Sequence, residues 1–119
     1  MTLGEHQEAF AGHVALLIAE AMSRGFTVRI GEVWRTIEQQ RLYVRSGRSK
    51  TMNSMHLRKL AIDLNLFING NAATVEDIRP LGKWWEGLDV HNRWGGSWRG
   101  LVESGQSSFV DSPHFERNA

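Results

Sequence analysis

Residues 60 to 68, LAIDLNLFI, place Ile62, Leu64, Leu66 and Ile68 at every second position, and this period of two predicts a strand with one face in a core. Asp63 and Asn65 then share the opposite face. A carboxylate beside buried aliphatics loses solvation that must be compensated by something positive, either a metal ion or an arginine such as Arg35 or Arg58. The chain is therefore expected to cover this strand on one side, and on the other to give Asp63 either a metal ion or the ordinary partner of a half-buried carboxylate, a backbone amide or an arginine.

The flanking segments supply the cover. Thr2-x-x-Glu5 is a capping-box signature, and Phe10, Val14, Leu17, Ile18, Ala21 and Met22 recur at helical spacing, so a helix is expected over roughly 4 to 24 before Gly25. Phe26, Val28 and Ile30 alternate with Thr27 and Arg29, which predicts a short strand leading towards Trp34. Thr36-x-x-Gln39 repeats the capping signature, and a second helix is expected through Arg45 to Gly47, with Ile37 and Val44 as apolar contacts. The polar stretch 46 to 55 reads as a loop, and Asn69-Gly70-Asn71 as the turn closing the strand.

Pro80 suits the first turn of a third helix carrying Leu81, Trp84, Trp85 and Leu88. RWGGSWRG follows without a clear period, and SFVDSPHFE reads as a short strand or bend. No repeat, low-complexity tract or linker interrupts the pattern, so residues 1–119 are expected to form one α+β domain, helices packed on a short, mostly antiparallel sheet.

Composition narrows the chemistry. There is no cysteine, which excludes disulfides, thiolate zinc knuckles and cysteine nucleophiles, so any metal must be held by histidine and carboxylate. No window approaches the roughly 18 apolar residues of a membrane span, and Met1 precedes an acidic, amphipathic segment rather than a signal peptide. Cytoplasmic synthesis, no membrane insertion and a monomer are expected. A net charge of +1 argues against nucleic acid as a partner. Arg41, Arg45, Arg48 and Lys50 read first as a solvated helix end and loop, and second as a patch attracted to an anionic polymer such as a cell wall.

Hydrolytic zinc keeps three protein ligands and an open position. His56, just before the strand, and Asp63, within it, would supply two, and a further histidine the third. In Asp111-Ser112-Pro113-His114 a fixed bend would let His114 bind metal while Asp111 serves as general base. His91, in Asp89-x-His91, is the rival, ranked below His114 because its surroundings read as an open loop; His6 and His13 read as surface or packing residues of the first helix. A Ser54 nucleophile is disfavoured by the absence of a G-x-S-x-G elbow, and a supporting hydrogen bond suits Ser54 better.

SMHLRKLAID and DSPHFE, in this order around a W-x-G-G-x-W stretch, resemble the M15 peptidases, which include phage L-alanyl-D-glutamate endolysins and the vancomycin-resistance D,D-dipeptidases. The family motif S-x-H-x-x-G-x-A-x-D is matched at Ser54, His56, Ala61 and Asp63, and GEVWRTIEQQRLY is similar to the family's arginine-bearing turn into a helix. The resemblance, which runs over roughly residues 3 to 117, implies that His56, Asp63 and His114 hold Zn2+, that Asp111 is the catalytic acid and base, and that Arg35 stabilises the oxygen of the scissile carbonyl. Ser54, Gln40 and Trp94 are expected to support this site or touch substrate, and of Trp85, Trp94 and Trp98 at least two are expected in the core. Lys59 replaces the family glycine, which implies a different backbone approach to the strand.

The function implied is that of a zinc metallopeptidase cutting the peptidoglycan stem peptide between L-Ala and D-Glu, as a phage or prophage endolysin that is made in the host cytoplasm and acts on the wall. Two alternatives stay open: a D,D-carboxypeptidase on the same scaffold, and a non-catalytic wall-binding or phage structural module.

Overall fold

The computed structural model describes residues 1–49, 51–98 and 110–119. Lys50 of the basic run, Arg99 and Gly100 of the glycine-tryptophan stretch, and Ser108 and Phe109 of the expected C-terminal strand lie outside the described residues.

Helix α1, Leu3–Ser23, opens on a reciprocal capping box in which Thr2 Oγ1 accepts from the Glu5 amide and Glu5 Oε1 from the Thr2 amide. Phe10, Leu17 and Ala21 are buried, whereas Met22, next along the helix from Ala21, is turned into solvent and is 61% exposed. Gly25, at φ +93, ends the helix and sends the chain into β1, Thr27–Ile30. Strand β1 pairs antiparallel with β2, Ala61–Ile68, in the register Thr27↔Phe67 to Ile30↔Leu64.

Between them lies α2, Ile37–Arg45, capped by Thr36. The side chain it buries is the polar Gln40, while Ile37 and Val44, expected as apolar contacts, are exposed. The inward face of α2 thus meets a polar loop rather than the core.

Strand β2 turns through Asn69 and Gly70, both at positive φ, into the short β3, Asn71–Ala72, as a two-residue hairpin requires. Helix α3, Val75–Leu88, starts earlier than Pro80 suggested, because Thr74 and Asp77 form a second reciprocal capping box and Pro80 lies inside the helix. A lone missing N–H is tolerated where Ile78, Leu81, Gly82 and Trp85 anchor the helix on the core. Strand β4, Asn92–Trp94, a 3₁₀ turn at Gly95–Trp98 and β5, His114–Arg117, complete the described elements.

The strands run β1-β2-β5-β4, with β3 also paired to β2, and every pairing is antiparallel. Ile62, Leu64 and Leu66 point from β2 into a core shared with Phe10 and Leu17 of α1, Leu81 and Trp85 of α3, Trp94 and Phe115. This is the expected α+β arrangement, with α1 and α3 packed on an antiparallel sheet and α2 set against the polar loop that follows it. No helix among the described residues is long and apolar enough to cross a membrane.

Candidate metal centre

Because β2 gives its aliphatics to the core, Asp63 faces the other side of the sheet, and β5 places His114 directly opposite it in the antiparallel register. His56 comes from the 3₁₀ turn Met55–Arg58, which leads into β2. The three side chains converge. Asp63 Oδ1 lies 3.4 Å from His56 Nε2 and 3.4 Å from His114 Nδ1, and a ligand atom from each of the three residues falls within 4.8 Å of the others.

Asp63 Oδ1 is buried without a hydrogen-bond partner, which is costly for a carboxylate oxygen unless a cation takes the place of the missing donor. Tetrahedral zinc with bonds of about 2.0–2.2 Å separates its ligand atoms by about 3.4 Å. The donor set and its spacing therefore fit a metal ion of this kind.

Each imidazole is held by the nitrogen that faces away from Asp63. His56 Nδ1 lies 2.8 Å from the carbonyl oxygen of Val33, so its proton is donated there and Nε2 is left with its lone pair. His114 Nε2 lies 2.7 Å from Glu116 Oε1, which leaves Nδ1 for the centre. Glu116 in turn accepts from Arg93.

Burial opposes ionisation of Asp63, yet the two imidazoles hold its carboxyl well below the usual carboxylate range. Burial also opposes charge on His114, but Asp63 and Glu116 outweigh it and raise that ring to about 9 in the metal-free protein. A metal ion would take the place of the proton on Nδ1.

Asp111 stands at the start of the bend. Its amide donates to the Gly95 carbonyl, its own carbonyl accepts from the His114 amide, and Trp94 Nε1 donates to the Ser112 carbonyl at 2.8 Å. Burial raises the Asp111 carboxyl, the nearby charge of Asp63 adds to the effect, and His114, His56 and Arg35 pull against it. Such a carboxylate accepts a proton more readily than an exposed one, as a general base requires.

Arg35 follows Val33 on the segment between β1 and α2, and its amide donates to the His56 carbonyl. Its guanidinium bonds Glu32 and reaches Gln40 Oε1 at 2.5 Å, and it lies 4.5 Å above the Tyr43 ring. Gln40 passes the tether on, donating to Ser49 Oγ at 2.9 Å and to the Thr51 carbonyl. Gln40 thus aims Arg35 and ties down the loop, and is itself fully buried.

Ser54 caps the 3₁₀ turn by accepting from the His56 amide. Trp94 is fully buried against Gly82 and Gly96, so a substrate contact for it is corrected to a prop beneath the bend. Trp85 is likewise in the core, donating to the Arg93 and Glu116 carbonyls, whereas Trp98 lies with its ring 5.0 Å from that of His114. His91 is not brought to the centre: it bonds Asp89 and stacks edge-on with His6, beside Arg117. His13 packs edge-on against Trp85.

Lys59 holds the left-handed conformation itself, at φ 58 and ψ 38, so the backbone approach to β2 is the one a glycine would take rather than a different one. Its ammonium lies 5.4 Å from the centre of the Trp34 ring. Sequence reasoning missed Glu32, Tyr43, the Val33 carbonyl and Glu116. Only Glu116 left a signal, since in H-F-E the first and third residues share a strand face.

A profile of the family described as phage L-alanyl-D-glutamate peptidase matches residues 12–117. The L-alanyl-D-glutamate peptidase of Listeria phage A118 is 37% identical over 101 residues, 81% of this chain and 32% of that protein, so the chain spans about a third of the length of this relative. The crystal structure of the Serratia marcescens L-Ala D-Glu endopeptidase ChiX superposes with a TM-score of 0.61 at 25% identity, covering 85% of this chain and 74% of that one. The chain belongs to the phage L-alanyl-D-glutamate peptidase family.

Proposed function

We propose that this chain is a zinc-dependent peptidase that hydrolyses the L-Ala–D-Glu bond of the peptidoglycan stem peptide, as a monomeric endolysin made in a host cytoplasm and acting on the wall. The observation that carries the reading is the buried Oδ1 of Asp63, which accepts no hydrogen bond and is faced, at 3.4 Å, by two imidazole nitrogens whose rings are already held by their other nitrogens. The names of the Listeria phage and Serratia relatives support the choice of bond.

His56 Nε2, Asp63 and His114 Nδ1 would hold the ion, which when bound supplies Lewis acidity to the scissile carbonyl and to water. Asp111, kept basic by burial, takes the proton of the attacking water and then delivers it to the leaving amine of D-Glu. Arg35, held rigid by Glu32, Gln40 and Tyr43, offers positive charge to the carbonyl oxygen as it becomes an oxyanion.

Purified peptidoglycan digested with the protein and analysed by mass spectrometry tests this directly. New N-terminal D-Glu is the expected product. Free D-Ala would indicate a D,D-carboxypeptidase instead, and sacculi bound without any product would indicate a wall-binding module.

A further inference from the structure

We propose that Glu116 is a positioning residue for the metal centre, fixing the ring orientation and tautomer of His114, and that Arg93 holds Glu116 in place from the protein surface. The inference rests on the metal reading above and gives a role to two residues outside the ligand set.

Two registers and one strand period build the arrangement. Asp63 on β2 is opposite His114 on β5, His114 and Glu116 share one face of β5 by the period of two, and Glu116 is opposite Arg93 on β4. The side chains follow that path. Glu116 uses its two oxygens separately, Oε1 for His114 Nε2 at 2.7 Å and Oε2 for Arg93 Nε at 3.0 Å and Nη2 at 2.6 Å.

The Glu116 side chain is 4% exposed, and the Arg93 side chain 44%. A carboxylate at that depth is tolerated only when paired and hydrogen-bonded, and here both partners are present. One is the ligand histidine itself.

The contrast with His56 shows what the carboxylate adds. His56 is oriented by a neutral backbone carbonyl through Nδ1 and turns Nε2 inward; His114 is oriented by a charged acceptor through Nε2 and turns Nδ1 inward. If the His114 ring were flipped, or its proton moved to Nδ1, no lone pair would point at Asp63. An anionic acceptor makes either change unfavourable and increases the donor strength of the inward nitrogen. A glutamine at this position could present its amide N–H to Nε2 instead, which would favour the wrong tautomer.

The test uses the whole chain. Zinc affinity is measured by chelator competition for wild type, Glu116→Gln and Glu116→Asp, melting curves verify folding, and long-range 1H–15N NMR of the zinc-loaded wild type reports which His114 nitrogen is protonated. The expected result is metal on Nδ1 with Nε2 protonated, Glu116→Gln folded with zinc bound roughly ten- to a hundred-fold more weakly, and partial recovery in Glu116→Asp. Wild-type affinity in Glu116→Gln, or coordination through Nε2 in the wild type, overturns the proposal. The NMR result decides the matter even if the variants fail to fold. Wild type that binds no zinc at all would instead remove the metal reading itself.

Discussion

The carbonyl oxygen of Asp111 fills the space that a β-carbon on Gly95 would need, with 2.0 Å between the two positions. The same added carbon would come within 3.0 Å of the His114 side chain, so one glycine lets the bend carrying Asp111 and His114 dock on the sheet. Gly95→Ala should therefore cost about 1–3 kcal/mol of stability by overpacking. Urea unfolding measures that cost, and hydrolysis of stem peptide, assayed well below the new melting temperature, should fall more than ten-fold. A fully active Gly95→Ala would show that the bend can shift without harm.

In the proposed mechanism Asp111 and His114 have separable roles. Asp111→Asn keeps the three metal ligands and should retain zinc while losing about 10²- to 10⁴-fold in turnover, the usual worth of a general base. His114→Ala should lose zinc and turnover together. Metal analysis beside steady-state rates distinguishes them, and a drop in zinc for His91→Ala but not His114→Ala would reassign the third ligand.

The His114 ring makes the metal-free protein sensitive to alkali. Its folded pKa, raised to about 9, lies above the unfolded value near 6.5, so its contribution to stability is complete below about 6.5 and is lost as pH rises through about 9. In chelator, the urea midpoint should fall between pH 7.5 and 10, above the range in which an ordinary histidine titrates. His114→Gln, which has no charge to lose, should not show that fall.

How much of this is legible in the sequence depends on whether the determinant is a side-chain pattern or a spatial partner. Helix α1 was legible because its capping box and apolar spacing are local, and β2 because its alternation is. The start of α3 is not, because Pro80 is itself a first-turn signal and competes with the Thr74–Asp77 box that caps the helix. The four candidate residues His56, Asp63, Asp111 and His114 could be named from spacing and resemblance, but the convergence of His56, Asp63 and His114 depends on the β2–β5 register, which lies between segments far apart in the chain. The Val33 carbonyl that orients His56 is backbone and has no sequence signature at all. Gln40 could be named as a candidate for supporting the site, but its burial and its bonds to Ser49 and Thr51 come from a loop beyond the helix end that the helical pattern does not reveal.

Lys59 offers a clean test of backbone strain. Replacing it by alanine or by glycine removes the ammonium over Trp34 in both cases, but only glycine relieves the left-handed conformation at φ 58. Glycine should be the more stable of the two by about 1 kcal/mol in denaturant titration, the balance of relieved strain against its greater unfolded-state entropy. Equal stability would mean that the turn before β2 relaxes in the alanine variant.

Asp63 and His114 face each other across adjacent strands although they lie 51 residues apart in the chain. An ion shared between them would act as a clasp on that long loop, a cross-link whose strength is set by the zinc in solution rather than by a covalent bond. The melting temperature should accordingly climb with free zinc well after the site is nominally full, and a chain stripped of the ion would hold β5 by its strand pairing and the buried Phe115 alone.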